Sequence, residues 1–273
     1  MRTEDEDLLI HARAGDRAAA ASFVERNAPA VLRLARAIVG TAAAADDVVQ
    51  ETFARVLRSI DTFDPSRGPA RPWLYAIARH AAFEVVRTQR ERATGDANDL
   101  EPLMTLGIAA GWGSSPEQAV LRAAQREDLA RALASLSAVD REVIVLRDLD
   151  GLDGDHVASL LGIDLRAMKS RLHRARLRLL GAMKAMEEGV VAEEKSVSGM
   201  RCSEVLAVLS DYLDDELGFT DRARVEQHVR ACSVCERFGG RFSHVMHALR
   251  EDLGAPPAID DAVVAALRAR MER

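Results

Sequence analysis

From Leu165 to Leu180 the chain reads LRAMKSRLHRARLRLL, a stretch without a single acid. Wound at about 100° per residue, it places Leu165, Met168, Leu172, Ala175 and Leu179 on one stripe. Arg166, Ser170, His173 and Arg174 fall opposite, flanked by Lys169, Arg171, Arg176 and Arg178, and Asp164 supplies a cap. Such a segment must bury one face and offer the other to something anionic. A DNA groove satisfies that demand, with cations matched to phosphates. A membrane surface or the cleft of a helix-binding protein satisfies it equally, so the choice depends on the chain around it.

Hydrophobic residues make up 48 % of the 273 residues, aromatics only 4 %, and no long β-branched alternation occurs. An all-α protein of two or three small domains is expected. The net charge of −6 argues against a uniformly basic nucleic-acid binder. The charge is segregated, however, with acids gathered at Glu4 to Asp7, in the middle and in the tail. No apolar run reaches membrane-spanning length and the N-terminus has no signal-peptide pattern, so a cytoplasmic protein with reduced cysteines is expected.

Leu8 to Arg58 reads as helices broken at Ala14-Gly15-Asp16, Asn27-Ala28-Pro29 and Gly40-Thr41. Within it, DDVVQETFARVLRSI (46–60) aligns Val49, Phe53, Val56, Leu57 and Ile60 on one side and leaves Asp47, Gln50 and Glu51 off it. Asp46 and Asp47 would suit the N-terminal end of a helix dipole. A turn-rich loop, FDPSRGPARP, leads into WLYAIARHAAFEVVRTQRER, with Leu74, Ile77, Ala78, Ala81, Ala82 and Val85 core-like. Trp73 and Tyr75, set beside arginines, could stack on unpaired bases; an aromatic on a helix is also common core.

Together these segments resemble region 2 of extracytoplasmic-function sigma factors. The resemblance implies that Asp46, Asp47, Gln50 and Glu51 face the clamp helices of the polymerase β′ subunit. It implies as well that Arg71, Trp73, Arg79, His80 and Arg87 lie at or near the minus-ten element. His80 stands where the family often has Asn, and Glu84 where it often has Asp.

Residues 94–114 carry glycines and acids in place of a pattern and read as a linker. Ser115-Pro116-Glu117-Gln118 has the grammar of a helix start. A second helix follows Ser137, with Val143, Ile144, Leu146 and Leu149 buried, and a short third follows Asp153. Ala158, Gly162 and Met168 then keep helix-turn-helix spacing into the basic helix. The segment resembles sigma region 4, which reads the minus-thirty-five element. That resemblance assigns base edges to Lys169, Ser170, His173 and Arg174, and phosphates to Arg166, Arg171 and Arg176.

Beyond a polar stretch at 185–199, all three cysteines fall within 34 residues: Cys202, then His228-Val-Arg-Ala-Cys232-Ser-Val-Cys235. One imidazole and three thiols meet the tetrahedral demand of zinc. His244 or His247 could substitute for Cys202. The tail resembles the zinc-containing anti-sigma domain, through its early Cys, Tyr212-Leu-Asp-Asp-Glu-Leu217 and the His-Cys-Cys knot. In that family a small bundle wedges between regions 2 and 4, and a further helix packs on the sigma domains. Asp260 to Met271 is the candidate here, through Val263, Val264, Leu267 and Met271.

The expected organisation is region 2 over 1–93, a linker over 94–114, region 4 over 115–184, a linker over 185–199 and the zinc domain over 200–273. The expected function is promoter-directed initiation with RNA polymerase, regulated in cis. Two other readings remain at this point. One is a helix-turn-helix regulator whose zinc domain is structural or senses metal or redox state. The other is a zinc enzyme, which lacks a His-Glu-x-x-His pattern and would need an open coordination position.

Overall fold

The computed structural model describes residues 3–92, 116–184, 196–197, 199–259, 263–265 and 267. The expected linker at 94–114 and most of that at 185–199 lie outside them, as do Asp260 and Met271 at the ends of the expected last helix. The architecture is all-α.

The first unit comprises α1 (Glu4–Arg13), α2 (Arg17–Ile38), α3 (Ala42–Ser59) and α4 (Ala70–Arg92). Asp16 caps α2 through the Ala18 and Ala19 amides, and Thr41 caps α3 through Ala44. The expected break at Asn27-Ala28-Pro29 does not occur: α2 runs through Pro29. Ala28, Ala30 and Val31 are buried there, so packing holds the helix where local preference would end it. Asn27 helps by donating its side-chain N–H to the Phe23 carbonyl at 2.9 Å. α3 begins at Ala42, a full turn before Asp46, so Asp46 and Asp47 are not first-turn acids and the dipole does not account for them.

The second unit comprises α5 (Pro116–Ser135), α6 (Ala138–Ile144) running into a π turn at Val145–Leu149, α7 (Gly154–Leu161) and α8 (Leu165–Lys184). Asp153 caps α7 through the His156 amide at 2.8 Å, and Asp164 caps α8 through Ala167 at 2.7 Å. Gly162 ends α7 at φ 67°, the left-handed conformation that makes the tight turn into α8. Met168, Leu172, Ala175 and Leu179 are buried as the spacing requires; Leu165 at the start of the stripe stays exposed.

A two-stranded hairpin, β1 (Ser196–Val197) with β2 (Met200–Arg201), opens the tail, followed by α9 (Cys202–Ala207), α10 (Leu209–Leu213), α11 (Phe219–Ala231) and α12 (Ser233–Asp252). The tail has a small core of its own, in which Met200, Val205, Val225, Cys232 and Cys235 are buried. The other side of α12, with Phe242, Val245, Met246 and Leu249, joins the main core.

The three units do not sit as the family resemblance implies. The tail does not wedge between the sigma-like units, because these pack on each other, α2 against α6 and α4 against α7. The tail instead lies across the second unit, with α12 against α5, α8 and the π turn and α10 against α8. Its last described residues then cross to the first unit. Val263 and Leu267 are buried, and Ile259, Val264 and Leu267 line a small apolar cavity of about 90 Å³ with Val24, Ala28 and Pro29 of α2. Burying two such aliphatic side chains is worth roughly 1.5–3 kcal/mol each.

Candidate metal centre and nucleic-acid interface

Cys202 opens α9, His228 lies in the last turn of α11, Cys232 forms the joint between α11 and α12, and Cys235 sits in the first turn of α12. Their ligand atoms all lie within 4.8 Å of one another. Cys202 Sγ is 3.8 Å from Cys232 Sγ and 3.6 Å from His228 Nε2. A tetrahedron with zinc–sulfur bonds of about 2.3 Å and a zinc–nitrogen bond of about 2.0 Å has edges of about 3.8 and about 3.5 Å. The four residues therefore fit a tetrahedral ion, and the sulfurs are too far apart for a disulfide.

His228 is fully buried and its Nδ1 donates to the Met200 carbonyl at 3.0 Å, which turns Nε2 toward the thiols. The backbone N–H groups of Cys235 and Val234 point at Cys232 and hold its pKa down to about 6, so this thiol is ready to ligate as thiolate. His244 and His247 are exposed on α12, and His247 pairs with Glu251 at 3.1 Å, so neither replaces Cys202.

In the first unit, Asp47 is exposed, with Asp46, Gln50 and Glu51 partly so, on a helix that packs on α2 and α4. Glu51 bonds Arg55 at 2.7 Å and Arg58 at 3.1 Å, and Arg55 reaches on to Glu84. An open groove of about 480 Å³ lies alongside, lined by Arg55, Arg58, Ser59, Trp73, Ala76, Ile77 and His80. Trp73 is half-buried against Phe63, ring centroids 5.2 Å apart, with part of its face left to the groove. Tyr75 is different: it is 1 % exposed, so it cannot stack on a base in this conformation. Arg71 and Arg87 are exposed on the same helix, whereas Arg79 turns to Glu142 of α6 at 2.6 Å. Sequence reading misses the groove residues Arg55 and Arg58, because only folding brings α3 beside α4.

The polar face of α8 is divided. Arg166, Ser170 and Arg174 are exposed and Arg171 partly so. The other flank, Lys169, His173 and Arg176 at i, i+4 and i+7, meets the tail. Lys169 Nζ lies 2.7 Å from Glu216 and 3.9 Å from Asp211, and His173 Nδ1 is 3.0 Å from Ser210 Oγ. Arg147 on the π turn also bonds Glu216, at 2.8 Å.

Arg176, expected at a phosphate, is completely buried. It donates to Asp148 of the π turn at 2.6 and 3.0 Å and to Asp214 of the tail at 2.7 and 3.0 Å. Arg250 of α12 closes the cluster, 2.7 Å from Asp148 and 2.9 Å from Asp214. Burial opposes the charge on Arg176, yet the two aspartates hold its pKa above the ordinary arginine value. Each side of this four-charge cluster is neutral by itself: Arg176 with Asp148, and Arg250 with Asp214.

A second junction joins all three units. Arg33 of α2, 4 % exposed, bonds Asp150 of the second unit and donates to the Leu253 and Gly254 carbonyls of the tail at 3.2 and 2.8 Å. Burial raises the Asp150 pKa in spite of Arg33, so this carboxylate depends on its partner to stay charged.

Three stretches of the chain match known families. Residues 23–92 match the family model for sigma-70 region 2, residues 126–179 that for sigma-70 region 4, and residues 202–235 a zinc-finger family model. The RNA polymerase sigma factor CnrH of Cupriavidus metallidurans is 34 % identical over 194 residues, covering 69 % of this chain and 100 % of that protein. The ECF RNA polymerase sigma factor SigE of Mycolicibacterium smegmatis is 33 % identical over 171 residues, 60 % of this chain and 63 % of that protein. A solved structure of CnrH in complex with the cytosolic domain of CnrY covers 68 % of this chain and 100 % of that chain, at 27 % identity and a TM-score of 0.47. Among the described residues no helix is long and apolar enough to cross a membrane. With both sigma regions in order, a zinc-finger domain joined behind them and a sigma relative matched over its whole length, the chain belongs to the extracytoplasmic-function family of RNA polymerase sigma factors.

Proposed function

We propose that this sigma factor is held inactive in cis by its zinc-finger tail, which acts as a built-in anti-sigma domain. The observation that carries this reading is the Arg33 junction, where one buried guanidinium from region 2 holds region 4 and the tail together. Promoter elements at minus-ten and minus-thirty-five lie about 25 base pairs apart, or about 85 Å of duplex at about 3.4 Å per base pair. Regions packed α2 on α6 and α4 on α7 cannot reach both at once. A tail joined by a short segment acts at an effective concentration of about millimolar, so modest contacts suffice to keep the regions closed.

In this reading the working parts divide as region 2 over 1–93, region 4 over 115–184 and the regulatory domain over 200–273, in a cytoplasmic protein. Asp46, Asp47, Gln50 and Glu51 dock on the polymerase β′ clamp helices. Arg71, Trp73, His80 and Arg87, with the Arg55–Arg58 groove, engage the minus-ten element; Arg79 joins them once released from Glu142. Arg166, Lys169, Ser170, Arg171, His173 and Arg174 read the minus-thirty-five element, while Arg176 braces α8 through Asp148. Cys202, His228, Cys232 and Cys235 hold structural zinc, whose closed sphere leaves no catalytic position.

The test compares promoter-dependent transcription by the full chain and by a chain ending at Ala192. The shortened chain is expected to be at least about tenfold more active, since loss of about 1.4 kcal/mol of closure already shifts the balance tenfold. Equal or lower activity would sink inhibition by the tail. Separately, Asp47→Ala with Gln50→Ala is expected to abolish retention on immobilised core polymerase; unchanged retention refutes the docking assignment.

A further inference from the structure

The polar contacts between the tail and α8 fall on one flank of the recognition helix, and most of them are made by acids. Asp211 and Glu216 face Lys169, Glu216 also holds Arg147, and Ser210 Oγ shares a hydrogen bond with His173 Nδ1. Lys169 is the charge on that flank that would otherwise meet a phosphate oxygen or a base edge, with the His173 imidazole beside it, and a carboxylate presents the same fork of anionic oxygens as a phosphate. The four-charge cluster behind them makes the contact reversible. On separation Arg176 keeps Asp148 and Arg250 keeps Asp214, so neither surface is left with an unpaired buried charge. α3, by contrast, packs only within region 2 among its principal contacts, and Asp47 on it is exposed.

Building on the cis-inhibited reading, we propose that the segment Ser210–Glu216 is an internal stand-in for promoter DNA. Tail and duplex compete for the Lys169–His173 flank of α8, while the polymerase-docking helix of region 2 stays open. Inhibition then acts on promoter binding by region 4 and leaves the first contact with polymerase intact. The closed protein is a sigma factor already able to ride on polymerase while its grip on the upstream element is withheld.

The probe is a fluorescein-labelled 20-base-pair duplex of arbitrary sequence, because phosphate contacts do not depend on sequence. Its affinity for full-length protein is measured by anisotropy over a salt series. Asp211→Asn with Glu216→Gln removes the two charges and keeps the shapes. It is expected to bind the duplex about tenfold more tightly, with a salt slope steeper by about 1–2, since each newly available phosphate contact contributes about 0.9. Asp221→Asn with Glu251→Gln changes net charge equally at exposed positions whose ion pairs, with Arg224 and His247, are not to α8, and is expected to behave as wild type. If both double variants gain equally, or neither gains, the stand-in is overturned, even where shortening the chain raises transcription. Full-length wild-type protein is also expected to be retained on immobilised core polymerase. Its absence there would overturn the claim that α3 stays open.

Discussion

Arg33→Ala is expected to open the molecule. The substitution leaves Asp150 buried without its bonded cation and strips the Leu253 and Gly254 carbonyls of their donor, all at one point. Breaking one partner of a buried pair typically costs about 3–5 kcal/mol. That cost falls on the closed form alone, because separation of the regions returns Asp150 to water. A change of this size shifts the closed-to-open ratio by a factor on the order of 10² to 10⁴. The check is small-angle scattering together with hydrogen exchange. The radius of gyration should rise, and amides of Ala138–Ile144 and Leu249–Asp252 should lose protection while α3 keeps it. Arg33→Lys, which keeps the charge and loses the fork, should fall between. An unchanged radius with unchanged protection would mean that the junction does not hold the closed form.

Metal removal is expected to have the other large effect. Among the described residues the tail's own apolar core contains five buried residues, two of which are the candidate ligands Cys232 and Cys235. A cluster this small cannot hold a fold by burial alone. Structural zinc contributes apparent folding energies of about 10–16 kcal/mol in zinc-finger peptides at neutral pH. Protein stripped with a strong chelator, then desalted before polymerase is added, should therefore be cut by protease within 202–235. The sigma regions and the main-core side of α12 should survive. Transcription should rise toward that of the chain ending at Ala192, and Cys232→Ser with Cys235→Ser should reproduce both effects. Protease resistance of the stripped protein would refute a structural role for the metal.

How much of this was legible beforehand differs from element to element. The α8 stripe, the Asp153 and Asp164 caps, the Gly162 turn and the closely spaced His228, Cys232 and Cys235 can all be read in the sequence, because each is fixed by local spacing. Cys202, 26 residues before His228, is chosen over His244 and His247 only by the fold. The continuity of α2 through Pro29 cannot, because tertiary burial of Ala28, Ala30 and Val31 outweighs a local helix breaker. Tyr75 looks like a base-stacking candidate beside Trp73; the two are two residues apart on a helix and so face different ways. Arg176 carries the same signature as its basic neighbours, and nothing local distinguishes a guanidinium bound for solvent from one bound for Asp148 and Asp214.

The sequence alone determined the parts: helical units in a fixed order, a basic amphipathic helix and three closely spaced zinc-type ligands, all set by periodicity and short-range spacing. Only the tertiary structure decided which of those parts are available. Lys169, His173, Arg176 and Arg33 meet partners in the tail between 37 and 221 residues away, and pairings at that range are set by how whole faces fit together. Charge can be read along a chain, but whether a charge faces water, DNA or its own tail is a property of packed surfaces.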